Sequence, residues 1–184
     1  MRSSMKGAVC ILASLAVLVC AASASQIVRL TPRQMADYSE LVVSGRVDGV
    51  TSFWNGDRTK IFTRIDVLVD EAYKGEKRAR IELLQLGGTV GNVKVTVEGA
   101  LAWRSGEEVL LFLEPYPGGR YQVAGLSQGR FEIERDEQTG KRYVRRPALG
   151  GTAPMQADGS PAGRPADVER IALEQFVSEA LAKE

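Results

Sequence analysis

The chain has 184 residues, with 24 lysines and arginines against 23 aspartates and glutamates, no histidine, and two cysteines, Cys10 and Cys20. This balance lacks the basic excess of proteins that bind DNA or RNA, and the interspersed charges contain no polybasic segment for a membrane surface, so we predict no nucleic-acid partner. The absence of histidine excludes a Ser-His-Asp triad, a Cys-His dyad and a zinc site with a histidine ligand.

The N-terminal segment has the organisation of a secretory signal peptide. Arg2 and Lys6 precede a short apolar segment, and Ala22-Ser23-Ala24 supplies small residues where signal peptidase cleaves. The apolar segment is shorter than the roughly 20 residues that a membrane-spanning helix needs. We therefore predict that residues 1–24 are a signal peptide and that the mature protein begins at Ser25, without a membrane span, and is secreted or periplasmic. Cleavage would remove both cysteines, which excludes a disulfide in the mature protein.

A short helix is predicted near the start of the mature domain, from Pro32 to Tyr38. Thr31 is a favourable N-cap residue, Pro32 suits the first helical position, and Gln34 completes a capping box. We expect this helix to cover one end of a β-barrel.

After this helix the apolar residues alternate with polar ones, which is the period of a β-strand. Two long strands on either side of Asn55-Gly56 predict a hairpin. A two-residue loop would place the two apolar sets on opposite faces, so we expect either a three-residue loop, Asn55 to Asp57, or a bulge at Gly45 or Gly49. Further strands are predicted at Ala79–Leu86, Asn92–Glu98, Glu108–Glu114, Arg120–Gly125, Gly129–Arg135 and Lys141–Arg146.

A glycine-rich stretch, Leu84 to Gly99, raises the question of a phosphate-binding loop. Such a loop needs a helix after its glycines, whereas here valines alternate with polar residues in the manner of a strand. We therefore predict turns at Gly87, Gly88 and Gly91. The segment Asp136–Lys141 predicts a hairpin loop rather than a calcium site, because the ligand positions of an EF-hand are absent.

Five carboxylates are candidates for an acid/base pair: Asp66, Asp70, Glu71, Glu107 and Glu108. Asp66 and Asp70 fall on the outward phase of their strand, and no apolar surroundings are evident that would raise a carboxyl pKa. We interpret these residues as part of a solvated face, and we predict no catalytic residue, no metal site and no cofactor.

The C-terminal part of the chain changes in composition. Residues 147–165 are rich in Pro, Gly and Ala without periodicity, which predicts a flexible linker. Apolar residues from Leu173 to Leu181 recur at helical spacing, which predicts an amphipathic helix from Ala166 to Lys183. The predicted domain organisation is a β-barrel over 25–146, the linker, and a C-terminal helical region over 166–184.

Three short motifs resemble, in order and spacing, the netrin-like module. They are Lys74-Gly75 at the end of a strand, Gly106-Glu107 before a strand, and Leu111-Phe112-Leu113 within that strand. The resemblance covers about Tyr38 to Phe131. It implies the OB-type barrel of tissue inhibitors of metalloproteases and complement C-terminal domains, and a binding-module class. The cysteines of that family are missing here, so no residue carries over its inhibitory chemistry.

The predicted fold class is mainly β: an OB-like antiparallel barrel with a short N-terminal helix and a C-terminal amphipathic helix. OB-type barrels bind ligands between the loop after strand 1 and the loop between strands 4 and 5. Rigid aromatic residues beside arginine are typical of interface hot spots. The predicted binding residues on these two loops are Phe53, Trp54, Arg58, Tyr116 and Arg120. The alternative is that the aromatic side chains fold inward and close the end of the barrel.

The predicted function is non-catalytic binding of a protein or another cell-envelope ligand. Two alternatives stay open, a protease inhibitor-like protein and a hydrolase that uses carboxylates. The first would need an N-terminus that projects from the barrel beside exposed loops. The second would need two acidic side chains in one apolar-walled pocket.

Overall fold

The computed structural model describes residues 30–145 and 170–182. The predicted signal peptide, the mature N-terminus at Ser25 and the predicted linker 147–165 lie outside the described residues. Within them the chain is mainly β with two helices, which confirms the coarse fold prediction. The elements are α1 (Pro32–Tyr38), β1 (Leu41–Trp54), β2 (Ile61–Lys74), β3 (Arg80–Leu86), β4 (Gly88–Val90), β5 (Val93–Val95), β6 (Glu108–Tyr116), β7 (Arg120–Val123), β8 (Arg130–Arg135), β9 (Arg142–Arg145), β10 (Ile171–Ala172) and α2 (Leu173–Leu181).

The helix α1 begins as its sequence predicts. The backbone N–H of Gln34 donates to Thr31 Oγ1 at 3.2 Å, and the backbone N–H of Thr31 donates to the side-chain Oε1 of Gln34 at 2.9 Å, which completes the capping box. At the other end, Lys74 Nζ donates to the carbonyl oxygen of Ala36 at 2.6 Å, so a strand residue satisfies one of the last helical carbonyls. Across both described ranges, the helices are too short or too polar to cross a membrane.

Eight strands of the described residues form one sheet in the order β1-β2-β3-β7-β6-β8-β9-β10, and β6 also pairs with β1. Neighbours are antiparallel except β3 and β7, which run parallel and pair at Leu83 and Tyr121. That is the single residue pair between β3 and β7 within the described residues. β4 and β5 form a second, two-stranded sheet. The predicted strand Asn92–Glu98 is therefore reduced to the residues that pair with β4.

The loop of the β1–β2 hairpin differs from the expected three residues. The two strands pair as far as Trp54 and Ile61, and the loop runs from Asn55 to Lys60. The reason is that the Asn55 side chain organises the longer loop: its Oδ1 accepts hydrogen bonds from the backbone N–H groups of Thr59 at 2.9 Å and Lys60 at 2.8 Å.

The expected bulge in β1 is confirmed beside Gly49. The pairing with β2 shifts between Val47 and Gly49, so Asp48 has no opposite residue. A second shift lies at Gly45, where a Cβ would collide with the backbone carbonyl of Leu68. These shifts bring the apolar residues of the two strands to the same face, which a regular ladder would not allow.

Of the three glycines predicted to lie in turns, Gly91 does, whereas Gly87 connects β3 to β4 and Gly88 is the first residue of β4. Gly87, Gly88 and Gly91 have φ angles of 94°, 137° and 58°, a region that suits glycine. Gly91 begins the turn between β4 and β5. A Cβ on Gly88 would collide with the hydroxyl groups of Ser52 and Thr63, because this backbone passes close over β1 and β2.

One hydrophobic core lies between the two helices and one face of the sheet. Its centre is a cluster of three aromatic rings, Phe112 of β6, Phe131 of β8 and Phe176 of α2. The centroid distances are 5.8 Å from Phe112 to Phe131, 6.3 Å from Phe112 to Phe176 and 4.7 Å from Phe131 to Phe176. The C-terminal helix therefore packs against the sheet. It begins at Leu173 rather than Ala166, because Ile171 and Ala172 pair with β9 as strand β10.

A second core lies on the opposite face of β1 and β6, and β2, β3 and β7 contribute to it. Successive side chains of a strand point to opposite faces of the sheet. The even-numbered side chains of β6 therefore pack in the first core and the odd-numbered ones in the second. The buried residues of this second core are Leu41, Val43, Val47, Ile65, Val67, Ile81, Leu83, Val109, Leu111, Leu113 and Tyr121. Strand β6 is consequently buried on both faces from Val109 to Leu113.

Candidate functional site

Three of the predicted site residues lie at the β1–β2 end of the sheet. Phe53 is 39% exposed, and its ring centroid is 6.4 Å from that of Phe62. Trp54 is half-buried, and strand alternation turns it to the face opposite Phe53. Arg58 is exposed in the loop, with a positive φ of 56°. Of the two predicted aromatic residues at this end of the sheet, Phe53 is exposed and Trp54 is not.

The other two predicted site residues form a cross-strand pair at the β6–β7 turn. Tyr116 lies opposite Arg120, and Arg120 Nε is 2.7 Å from Glu82 Oε1. Strand β6 runs antiparallel to β1, and its Leu113 pairs with Leu41, the first residue of β1. Tyr116 therefore lies past the first residue of β1, whereas Phe53 and Trp54 are the last two residues of β1. The register thus places the two groups at opposite ends of β1 rather than side by side.

A cavity of about 450 Å³ lies beside β3 and β7. We call it the seam cavity. Its apolar lining includes Leu84 and Leu86 of β3, Val97 and Ala100 of the connecting segment, Val123 of β7, and Leu126 of the following turn. Two carboxylates, Glu98 and Glu114, also line it. None of the five predicted binding residues lies in this cavity.

One wall of the seam cavity is the segment that leads from β5 to β6, and the side chain of Gln85 holds that wall in place. Gln85 Nε2 donates to the carbonyl oxygen of Leu101 at 3.0 Å, and the Leu101 N–H donates to Gln85 Oε1 at 3.1 Å. Trp103 Nε1 donates to the same oxygen at 3.1 Å. The Gln85 side-chain amide thus pairs with the backbone of Leu101 as a neighbouring strand would, and it fixes the β5–β6 segment beside β3.

The rim of the seam cavity carries a strained, exposed leucine. Leu126 is 69% exposed and has a φ of 67°, in a turn that also contains Gly125 at 61°. A leucine in this region costs about 1–2 kcal/mol relative to ordinary backbone, and exposure gives no burial to offset that cost. Strained backbone conformations cluster at active sites and ligand-binding regions, so the strain at Leu126 makes this rim a candidate site.

The carboxylate Glu114 is fixed at the base of the same turn. Its Oε2 accepts a hydrogen bond from Gln122 Nε2, and its Oε1 accepts one from the backbone N–H of Gly125, both at 3.3 Å. Gln122 and Gly125 each donate a hydrogen bond to one carboxylate oxygen, and together they fix the orientation of the Glu114 side chain.

The carboxylates that the sequence singled out are mostly ion-paired surface residues. Asp66 lies 3.3 Å from Arg64, and Glu108 lies 3.1 Å from Arg46. In the described part of the chain, no cluster of three or more acidic side chains is placed to hold a metal ion. No two of the five candidates line the seam cavity.

Comparison with known proteins assigns no family to the chain. Neither a search of protein-family models nor a search of curated proteins found a match to the chain.

Proposed function

We propose that this protein is an exported, non-catalytic binding module whose ligand site is the seam cavity. The observation that carries the proposal is the exposed, positive-φ Leu126 at the rim of an apolar-walled opening. Export is supported by the signal-like organisation of residues 1–24. The partner is a protein in the cell envelope or outside the cell.

The same proposal includes an OB-type barrel. It is supported by the pairing of β1 with β2, β2 with β3, β3 with β7, β7 with β6, and β6 with β1. A five-stranded barrel that is partly open is the known form of the OB fold. The single β3–β7 pair would be the open part, and the seam cavity lies directly beside it.

Binding of a small neutral apolar probe tests the proposed site. We expect 1-hexanol to shift the methyl NMR resonances of Leu84, Val97 and Leu126 in a saturable manner. The substitution Leu126→Gly should weaken this binding roughly fivefold, because it removes apolar surface from the rim. It should leave the free energy of unfolding within about 1 kcal/mol of the parent, because relief of backbone strain offsets the added freedom of the unfolded chain.

A matched control is Leu68→Thr, which changes a leucine that is exposed on β2 but does not line the seam cavity. Its hexanol affinity should equal that of the parent. The proposed site is wrong if hexanol shifts resonances across the whole surface, or if Leu68→Thr weakens binding as much as Leu126→Gly.

A carboxylate-dependent hydrolase is a second candidate, favoured by the presence of Glu98 and Glu114 in one apolar-walled cavity. Turnover of chromogenic glycosides or esters that is lost in Glu98→Gln would support it. Absence of turnover across both substrate classes would leave the binding module as the better account. The inhibitor-like alternative depends on the N-terminal residues before Leu30, which lie outside the described residues, and it stays a prediction.

A further inference from the structure

We infer that the seam cavity recognises a protein segment in which a large apolar side chain is next to a lysine or arginine. The inference rests on the proposed function, because it assigns the partner of that same site. It is carried by the charges of the lining, by the extent of the apolar surface, and by the way both are held in place.

The charges of the seam cavity have one sign. Glu98 and Glu114 line it, and no lysine or arginine among the described residues does. Among the ion pairs formed by described residues, none involves Glu98 or Glu114, whereas Glu82 on the neighbouring strand pairs with both Arg64 and Arg120. The two cavity carboxylates are therefore available to a cation that arrives with the ligand.

The position of Glu114 is set before any ligand binds. The Gly125 N–H and the Gln122 side chain hold its two oxygens, and Gly125 directly precedes Leu126. One turn thus presents an apolar side chain and fixes a carboxylate beside it. A ligand that places an apolar group against Leu126 brings the adjacent residue of its own chain toward Glu114.

The apolar surface extends beyond the cavity, which favours a protein segment over a small amine. Leu86 lines the cavity and also lies in a cross-strand row with Phe62 and Phe53. Leu86 is 41% exposed. Because adjacent strands are about 4.8 Å apart, the row adds about 10 Å of partly exposed apolar surface. A second apolar side chain of an extended segment can pack there.

A charge series of matched probes tests the preference for a cation. The probes are hexylammonium, 1-hexanol and hexanoate, which each have six carbons and carry a positive charge, no charge and a negative charge, respectively. We expect hexylammonium to bind about fivefold more tightly than hexanol, and hexanoate more weakly than hexanol, by the methyl shifts of Leu84, Val97 and Leu126. The preference should shrink at about 1 M salt, because screening weakens exposed charge pairs.

Substitution of the two carboxylates identifies the source of the preference. In Glu98→Gln/Glu114→Gln, the ratio of hexylammonium to hexanol affinity should fall to about one. The matched control is Glu137→Gln, an exposed glutamate of the β8–β9 loop that does not line the cavity. Its ratio should stay at the parental value.

Short peptides test whether the ligand is a protein segment. The probes are acetyl-Gly-Phe-Lys-Gly-amide and versions with Ala or Glu in place of Lys. The lysine peptide should bind more tightly than hexylammonium and more tightly than the alanine peptide, with the glutamate peptide weakest.

The outcomes separate the inference from the proposed function. If hexanol binds in the cavity but the charge order is absent or survives the double substitution, the inference is wrong and the binding site stands. If hexylammonium is preferred but the lysine peptide binds no better than the alanine peptide, a protein segment is the wrong class of ligand. If hexanol does not bind, the proposed site fails first.

Discussion

The guanidinium of Arg130 lies over the ring of Trp103, with the arginine Cζ 5.0 Å from the ring centroid. The Arg130 side chain is 2% exposed, and its Nη2 is 2.9 Å from Glu107 Oε2. Neither Nε nor Nη2 has a hydrogen-bond partner of acceptable geometry among the described residues, so the contact with Glu107 is an ion pair without a well-aligned hydrogen bond. Arg130 Nη2 also lies 3.6 Å from Glu132 Oε1. A buried charge at the end of the second core therefore depends on two carboxylates and one indole.

Arg130→Ala should lower the free energy of unfolding by about 3 kcal/mol. The reason is that the Glu107 side chain is only 18% exposed and would lose its partner charge, while Trp103 would lose the cation over its ring. Urea denaturation measures the change. The control is Arg135→Ala, whose side chain is 57% exposed and 3.6 Å from Glu108, and which should cost less than about 0.5 kcal/mol. Equal losses in the two variants would contradict the prediction.

Two glycines of β1 should respond very differently to alanine. Gly45→Ala places a Cβ against the carbonyl of Leu68, which is backbone and cannot rotate away, so we expect a loss of about 3 kcal/mol or more. Gly49→Ala meets only Asp66 Oδ2 at 3.5 Å, an ordinary contact, and should change stability by less than about 1 kcal/mol. Thermal unfolding of the two variants compares them directly. Similar midpoints would mean that the strand can shift at Gly45.

Phe176→Ala should cost about 3–4 kcal/mol, because it removes one of three contacting rings and leaves a cavity under α2. Gln175→Ala changes the adjacent, exposed residue of the same helix and should be nearly neutral. Chemical denaturation followed by circular dichroism gives both values. A small loss for Phe176→Ala would show that α2 contributes little to the stability of the sheet.

The docking of α2 should weaken in acid. The pKa of Glu174 is lowered by a hydrogen bond from its own backbone N–H and by the Arg142 guanidinium, whose Nη2 is 3.0 Å from Glu174 Oε1. A lowered folded-state pKa means that the stabilisation is present above the ordinary value of 4.5 and is lost as the pH falls through the folded value. Glu174→Gln should therefore show a smaller drop in unfolding midpoint between about pH 6 and about pH 3 than the parent. An identical drop would contradict this.

The exported protein should begin within two residues of Ser25. The small residues before this position and the short apolar segment are the basis. Intact-mass measurement of exported material decides the point. A mass that retains Met1, or a lipid on Cys20, would contradict it.

Local sequence signals predicted the elements whose causes are local. The capping box at Thr31 predicted α1. The mismatch of apolar parity in the hairpin predicted either a three-residue loop or a bulge at Gly45 or Gly49, and a bulge lies beside Gly49. The loop length was not predictable, because it depends on how the Asn55 side chain bonds to the residues after it. The difference in exposure between Phe53 and Trp54 follows from the alternation of side chains along β1, once the pairing of β1 with β2 is known.

The seam cavity could not be predicted in the same way. It is built by segments far apart in the sequence, and their arrangement depends on the long-range pair Leu83–Tyr121. The sequence does contain one partial signal, a leucine directly after glycine in the turn that follows β7. The sequence places Gly125 at the end of the predicted strand Arg120–Gly125, and the exposure of Leu126 depends on the folded chain.

The burial of β6 on both faces makes the two cores a single cooperative unit. The residues from Val109 to Leu113 supply side chains alternately to each core, so neither core can open without moving the backbone of the other. We therefore expect the amide hydrogens of this strand to exchange with solvent by global unfolding rather than by local opening. The two-stranded β4–β5 sheet supplies no residue to either core, and it can open while β6 stays protected.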